Sequence, residues 1–342
     1  MTASPTDRKN HESHLFYQAS GRRPRIAKAE GIYAWDQHGK RYIDASSGPM
    51  VSNIGHSNPR VLAAMKAQME RATFAYRLHF ENDAAEDLAA LTASLMPEGL
   101  DRVFFTSGGS ETIETCLKLA RQYASAQDMP ERYKIISLTP SYHGATLGCV
   151  AVTGMEPFVE PFLPMLREMP KIAAPTCYLD RDALSFEERG LHYAEQLRTA
   201  IEAEGPETVL AFLMEPIGGA STGALVAPDS WHRRIRDICR EYGVLLIADE
   251  VMTGAGRTGR FLGVEHWGTR PDIIGMAKGF AAGYAPLGAV AARRDIVEAV
   301  LANGGFAHGY TYAGNPLACA AGNAVLREVL DQRLVDNATA MG

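Results

Sequence analysis

From about residue 100 onward, short apolar runs alternate with longer segments of helical period, and this alternation restricts the fold more than any other feature. RVFFT (102–106) is followed by ETIETCLKLARQYA, YKIISLT (133–139) by a glycine turn, and VLAFLM (209–214) by Glu215-Pro216. WHRRIRDICREYG leads into VLLIA (244–248), and DIIGM (272–276) leads to Lys278. Strands this apolar along their whole length, separated by helices, predict a mainly parallel sheet covered on both faces. The fold class is α/β. In such sheets ligands collect beyond the carboxyl ends of the strands. The groups that follow these strands are SGGSE, SYHG, EP, DEV and a lysine.

The flanking parts read differently. Residues 1–60 suggest an arm and a small antiparallel piece, GIYAWDQHGKRYID, turning at Gln37-His38-Gly39. Residues 61–318 form the large α/β domain, and 319–342 open a C-terminal unit. There NAVLREVLDQRLV places Val325, Leu326, Val329, Leu330 and Leu334 at helical spacing, and the chain ends eight residues after Leu334. A net charge of −6 argues against nucleic acid or an anionic membrane surface as a partner. The longest uncharged stretch, GFAAGYAPLGAVAA, is too short and glycine-rich to span a bilayer, and MTASPTDRKNHESH lacks the apolar core of a secretory signal. The five cysteines are scattered without a C-x-x-C pair, as expected of reduced thiols in a cytoplasm. His11 and His14 could touch one metal from a shared helix face, but no second pair stands near them, so they read as solvated and no metal is expected.

Several groups at the predicted strand ends carry chemistry, each with a plainer alternative. After Asp272, Lys278 is the only charge in DIIGMAKGFAAGYAPLGAV. It either lies at a sheet rim with its ammonium in water, or works as a neutral amine that attacks a carbonyl. TSGGSET (106–112) joins a strand to a helix: Gly108 and Gly109 free backbone N–H groups and Ser110 adds a hydroxyl, which makes either a phosphate cradle or an ordinary cap. Without G-K-[ST] it is no nucleotide P-loop. In IADEVMT (247–253), Asp249 and Val251 share a strand face, suited to a protonated heterocyclic nitrogen and its ring. The alternative is an aspartate that closes a loop or pairs with Arg257. Tyr142, in SYHGAT, either stacks on a planar ring or sits in the rim. GAGRTG (254–259) matches the dinucleotide fingerprint formally, but five residues separate it from its strand, no helix follows, and Asp272 precedes its strand. It reads as a glycine-rich loop, with a dehydrogenase as the alternative.

Together, GGSETIETCLKLAR, SYHG, EPIGG, LIADEVMTGAGRTG, PDIIGMAKGFAAGYAPLGAV and GYTYAGNPLACAA resemble, in order, the motifs of class III pyridoxal-phosphate-dependent aminotransferases. The likeness runs from about Gly31 to the end of the chain. It implies the fold type I architecture, pyridoxal 5′-phosphate as cofactor, and Lys278 as its Schiff-base lysine and the general base and acid at the substrate Cα. Asp249 would hold the proton of the pyridine nitrogen, and Tyr142 and Val251 would sandwich the ring. Gly108, Gly109 and Ser110 would bind the phosphate, with His143, Gly144 and Glu215 beside the cofactor. Tyr310 and Thr311, in GYTYAG, resemble the segment that reaches the phosphate of a neighbouring subunit, which implies a homodimer with shared active sites.

The departures bear on substrate. Relatives acting on ornithine, acetylornithine or 4-aminobutyrate often carry arginine where Ala145 stands; ornithine-type relatives have glutamate at Ala220; a frequent cofactor-contacting glutamine is Met252. The resemblance thus implies an apolar pocket, with Pro49 and Met50 lining it and Arg77 as a local partner for a carboxylate. An amine or ω-amino donor with pyruvate as acceptor is expected. A diaminopelargonate-type aminotransferase is an alternative. Family members usually continue for about another hundred residues, a typical small-domain length. The C-terminal small domain is therefore expected to be missing, and a cofactor-binding but inactive chain is a further alternative.

Overall fold

The structure, a computed structural model, describes residues 14–18 and 23–342. His11 lies outside the described residues. A three-stranded antiparallel sheet comes first: β1 (Ile26–Glu30), β2 (Tyr33–Asp36) and β3 (Arg41–Ile43) in that order. The β2–β3 turn falls at Gln37–Gly39 as the sequence predicts. Asp36 Oδ1 accepts from the N–H of His38 and Lys40 at 2.8 and 3.0 Å, and Gly39 takes φ 80°.

The large sheet has seven strands in the order β4-β10-β9-β8-β7-β5-β6. These are β4 (Arg102–Thr106), β5 (Lys134–Thr139), β6 (Lys171–Ala173), β7 (Val209–Met214), β8 (Leu245–Asp249), β9 (Ile273–Met276) and β10 (Gly288–Ala292). Only β10 runs against its neighbours. The apolar runs are apolar because both faces are covered. Phe212, Met214, Leu246, Ala248 and Ile274 meet Trp231 and Ile235 of helix Asp229–Tyr242 in one core. Leu213, Ile247 and Ile273 face Ile113, Cys116 and Leu117 of helix Gly109–Ala126 in the other. Each fully buried Leu, Ile or Phe contributes about 1.5–3 kcal/mol, so a polar residue in either register would be costly.

Two strands and one helix boundary depart from the expectation. β10, GAVAA, has one β-branched residue, Val290, among glycine and alanines, too weak a pattern to mark a strand. Gly288 at its start answers to crowding: a Cβ there would stand 2.2 Å from Thr112 Oγ1. β6 is a three-residue edge with little sequence signal. Leu334 does not extend the helix of Val325 and Val329. That helix, Pro316–Asp331, ends before Arg333, which takes φ 52°, and Leu334 opens the next one, Leu334–Met341. Pro316–Asp331 packs on helices Pro59–Arg71 and Asp83–Ser94.

Among the described residues no helix is long and apolar enough to cross a membrane, and no group of three His, Cys, Asp or Glu side chains is placed to hold a metal ion. All five cysteines are buried and free.

Candidate active site

The strands other than β10 share one direction, so the groups that follow them meet at one edge. A cavity of about 350 Å³ opens there. Gly109, Ser110, Tyr142, His143, Gly144, Glu215, Asp249, Val251 and Lys278 line it, together with Pro49 and Met50. The last two belong to a segment that the loop after β8 ties down: Asn53 Nδ2 donates to the Ala255 carbonyl at 3.3 Å, and Arg257 Nη2 to the Met50 carbonyl at 2.6 Å.

One side of the cavity is the start of helix Gly109–Ala126. Its first intrahelical bond comes from Thr112 N–H to the Gly108 carbonyl, which leaves the N–H groups of the first turn without helical acceptors. Ser110 Oγ accepts from Ala145 N–H at 3.0 Å, so its own O–H remains free to donate. The glycines here are required by close approach. A Cβ on Gly109 would lie 2.9 Å from Val251 Cγ1, and one on Gly144, at φ 132°, would lie 2.8 Å from Ser110 Cα. An N–H-lined hollow at the positive end of a helix is what a phosphate needs.

The other side holds the charges. Asp249, 4% exposed, ends β8. Its Oδ2 lies 2.8 Å from His143 Nδ1, and a carboxylate can only accept, so the imidazole donates. Its Oδ1 accepts from Val251 N–H at 3.1 Å. Val251 reaches the cavity through this turn and not along the strand, which has already ended. Glu215 accepts from Tyr142 and Gly219 N–H at 3.2 and 3.0 Å, and burial raises its pKa. Lys278 opens a short turn after β9 with φ 48°, a strained conformation for a residue with a side chain. Burial lowers the pKa of its amine, Asp249 and Glu215 oppose that shift, and Arg257 adds to it. A less basic amine is a better nucleophile near neutrality.

The sequence profile of the class III aminotransferases matches residues 17–342. The chain belongs to this family. A putrescine–pyruvate aminotransferase of Pseudomonas aeruginosa is 37% identical over 317 residues, which are 92% of this chain and 69% of that protein. An (S)-enantioselective ω-transaminase of Thermomicrobium roseum superposes with a TM-score of 0.92 at 38% identity, over 96% of this chain and 75% of that one. An amine transaminase from an uncultivated Pseudomonas species, in its PLP-bound form, gives 0.90 at 35% identity over 96% and 77%.

In this aminotransferase most residues expected at the site come together, but four do not line the cavity. Arg77 stacks over Phe104 at 4.4 Å and donates to the His308 carbonyl, lining a different cavity beside β4. Tyr310 packs edge-on to His308 at 4.8 Å, and Thr311 is exposed. Neither lines the cavity of its own chain. Gly108 stands just outside, as the cap of helix Gly109–Ala126. Gly219, Ala220 and Met252 complete the lining; the EPIGG and DEVM motifs contain them, but nothing in the pattern alone marks them as wall residues. GAGRTG forms consecutive turns followed by a single 3-10 turn, Gly263–Trp267, and no α-helix, and Asp272 is held by Arg236 and Arg293 at the other end of the sheet. The dinucleotide reading fails on both counts. Among the described residues Arg257 pairs with no carboxylate; it binds the carbonyls of Met50 and Met252.

Glu250, beside Asp249, has a structural task that the sequence does not mark. Fully buried, it accepts from Gly263 and Val264 N–H at 2.8 Å each and from the Thr253 hydroxyl, which closes the loop carrying Val251 and Met252. Burial raises its pKa to about 7, against those hydrogen bonds. A carboxyl raised in the folded state binds more protons there than when unfolded, so its contribution to stability falls as pH rises from about 4.5 to about 7. Glu250→Gln would turn an amide N–H toward a backbone donor. Stability should drop by about 1–3 kcal/mol at neutral pH, read as a lower thermal midpoint.

Proposed function

We propose that this aminotransferase takes its amino group from an amine or an ω-amino compound and delivers it to pyruvate. The reaction class is amino transfer to an oxo acid, and the cofactor is pyridoxal 5′-phosphate. The cavity fits that group: a donor-rich hollow with no room for a Cβ, a buried carboxylate and an amine all border one space. When bound, the cofactor supplies an aldehyde and a protonated ring that accepts electrons from the substrate Cα.

The chain's residues supply the rest. Lys278 attaches the cofactor and then, as a neutral amine, takes and returns the proton at the substrate Cα. Asp249 keeps the ring nitrogen protonated, and His143 fixes Asp249 by donating to it. Gly108, Gly109 and Ser110 hold the phosphate, Tyr142 and Val251 confine the ring, and Glu215 and Gly144 shape its edge. Tyr310 and Thr311, which lie outside their own cavity, act in the site of a second copy, so the working form is a homodimer. Buried free cysteines support a cytoplasmic setting. Residues 61–318 serve as the cofactor domain, and helix Pro316–Asp331 runs unbroken through its boundary with 319–342.

The substrate reading rests on one observation: among the described residues that line the cavity, Lys278 is the only lysine or arginine. Ala220 and Met252 stand in the wall, and Arg77 does not reach it. A second carboxylate buried there without a partner costs several kcal/mol, or roughly 100-fold in affinity or more. Steady-state kinetics of the holoenzyme with a panel of donors should therefore show kcat/KM higher for pyruvate than for 2-oxoglutarate by about that factor. A preference for 2-oxoglutarate with ornithine or 4-aminobutyrate would overturn this reading.

A further inference from the structure

We propose that a second cavity, at the amino ends of β7 and β8, is a binding site for a small organic anion with an oxyanion head on an apolar body. It measures about 280 Å³ and is lined by Arg132, Arg236, Arg240, Arg293 and Asp272, with an apolar floor that includes Leu210 and Val244. β8 runs between the two cavities, with Leu245 at one and Asp249 at the other, about 13 Å apart at a strand's rise per residue. The site is thus separate from the catalytic one.

Four guanidinium groups surround this space, and their internal partners do not balance them. Asp272 takes Arg236 at 2.8 Å and Arg293 at 2.7 Å, and Arg293 also pairs with Asp295. That leaves two positive charges in excess. Among the described residues Arg132 meets no carboxylate within ion-pair distance; it donates to the carbonyls of Val209, Gly243 and Tyr242 at 2.8–3.1 Å. Arg240 makes no side-chain bond among the described residues, and Arg236 Nε–H is buried without an acceptor. A buried donor left unpaired is costly, and guanidinium forks match carboxylate and phosphate oxygens. In a chain of net charge −6, this local excess is a feature of the site and not of the surface at large. At about 30 Å³ per water, the space admits a ligand of roughly ten non-hydrogen atoms.

The test is calorimetric titration of the holoenzyme, whose catalytic phosphate position is already filled, with inorganic phosphate and with benzoate at constant ionic strength. One saturable site per chain is expected for at least one probe. Phosphate alone would identify a phosphate head, benzoate alone a carboxylate, and both an oxyanion of either shape. Arg240→Glu, at an exposed side chain without internal bonds, should weaken binding roughly ten-fold or more while turnover stays unchanged. Arg132→Gln should weaken it in the same direction. Binding that survives both substitutions unchanged would place the anion elsewhere and overturn the proposal. So would the absence of saturation for both probes up to roughly 10 mM, beyond which affinity is negligible.

Discussion

Lys278→Ala should abolish transamination, lowering kcat by roughly 10⁴-fold or more. The substitution removes two contributions at once: the amine that attaches the cofactor and the amine that moves the proton at the substrate Cα. Neither has a substitute nearby, since no other lysine among the described residues borders the cavity. The fold should survive. Alanine at φ 48° bears the same backbone strain as lysine there, and removing a half-buried amine relieves a desolvation cost. Noncovalent cofactor binding should persist as well, because the helix start at Gly109–Ser110 and the carboxylate of Asp249 are untouched. Loss of turnover with retained cofactor would separate chemistry from binding. Borohydride reduction of the unaltered holoenzyme followed by peptide mapping checks the same assignment directly. A pyridoxyl adduct on the peptide containing Lys278 is expected, and an adduct on any other lysine would refute it.

Why Lys278 was legible in the sequence and Glu250 was not is a matter of contrast. A single charge in the eighteen-residue run 273–290 stands out because burying an unpaired ammonium is costly, so its position demands a reason. Asp249 stood out in the same way, at the end of VLLIA. The strand VLAFLM was legible residue for residue, since burial on both faces forces a continuous apolar run. β10 was not. Its Gly288 answers to the close approach of Thr112 on helix Gly109–Ala126, a tertiary cause that leaves no local pattern. The His143–Asp249 bond joins residues 106 apart in sequence, so each could be noticed but not their pairing. Arg77 illustrates the reverse error. An arginine near the right motif suggests a carboxylate partner, yet its guanidinium lies flat on Phe104, because stacking and a carbonyl satisfy it where it stands.

Asp249→Asn should lower kcat/KM by roughly 100- to 1,000-fold, the cost of about 3 kcal/mol or more when a preorganised charge is removed from a water-poor site. The substitution keeps the size and shape of the side chain and removes only the charge that holds a proton on the ring nitrogen. Its structural cost is small and separable. The carboxylate now accepts from His143 Nδ1 and from Val251 N–H; an amide oxygen can serve one of them while the amide N–H faces the other. One unsatisfied donor costs about 1–3 kcal/mol of stability, which a melting curve would register without loss of the fold. The two readouts therefore test different roles for the same side chain. If Asp249 only closed the turn to Val251, stability would fall and catalysis would follow it no further than the fraction folded. If it sets the protonation of the ring, the folded variant binds cofactor through the helix start and still turns over slowly. A variant with lowered thermal stability and kcat/KM within ten-fold of the unaltered enzyme would assign the residue to the turn alone.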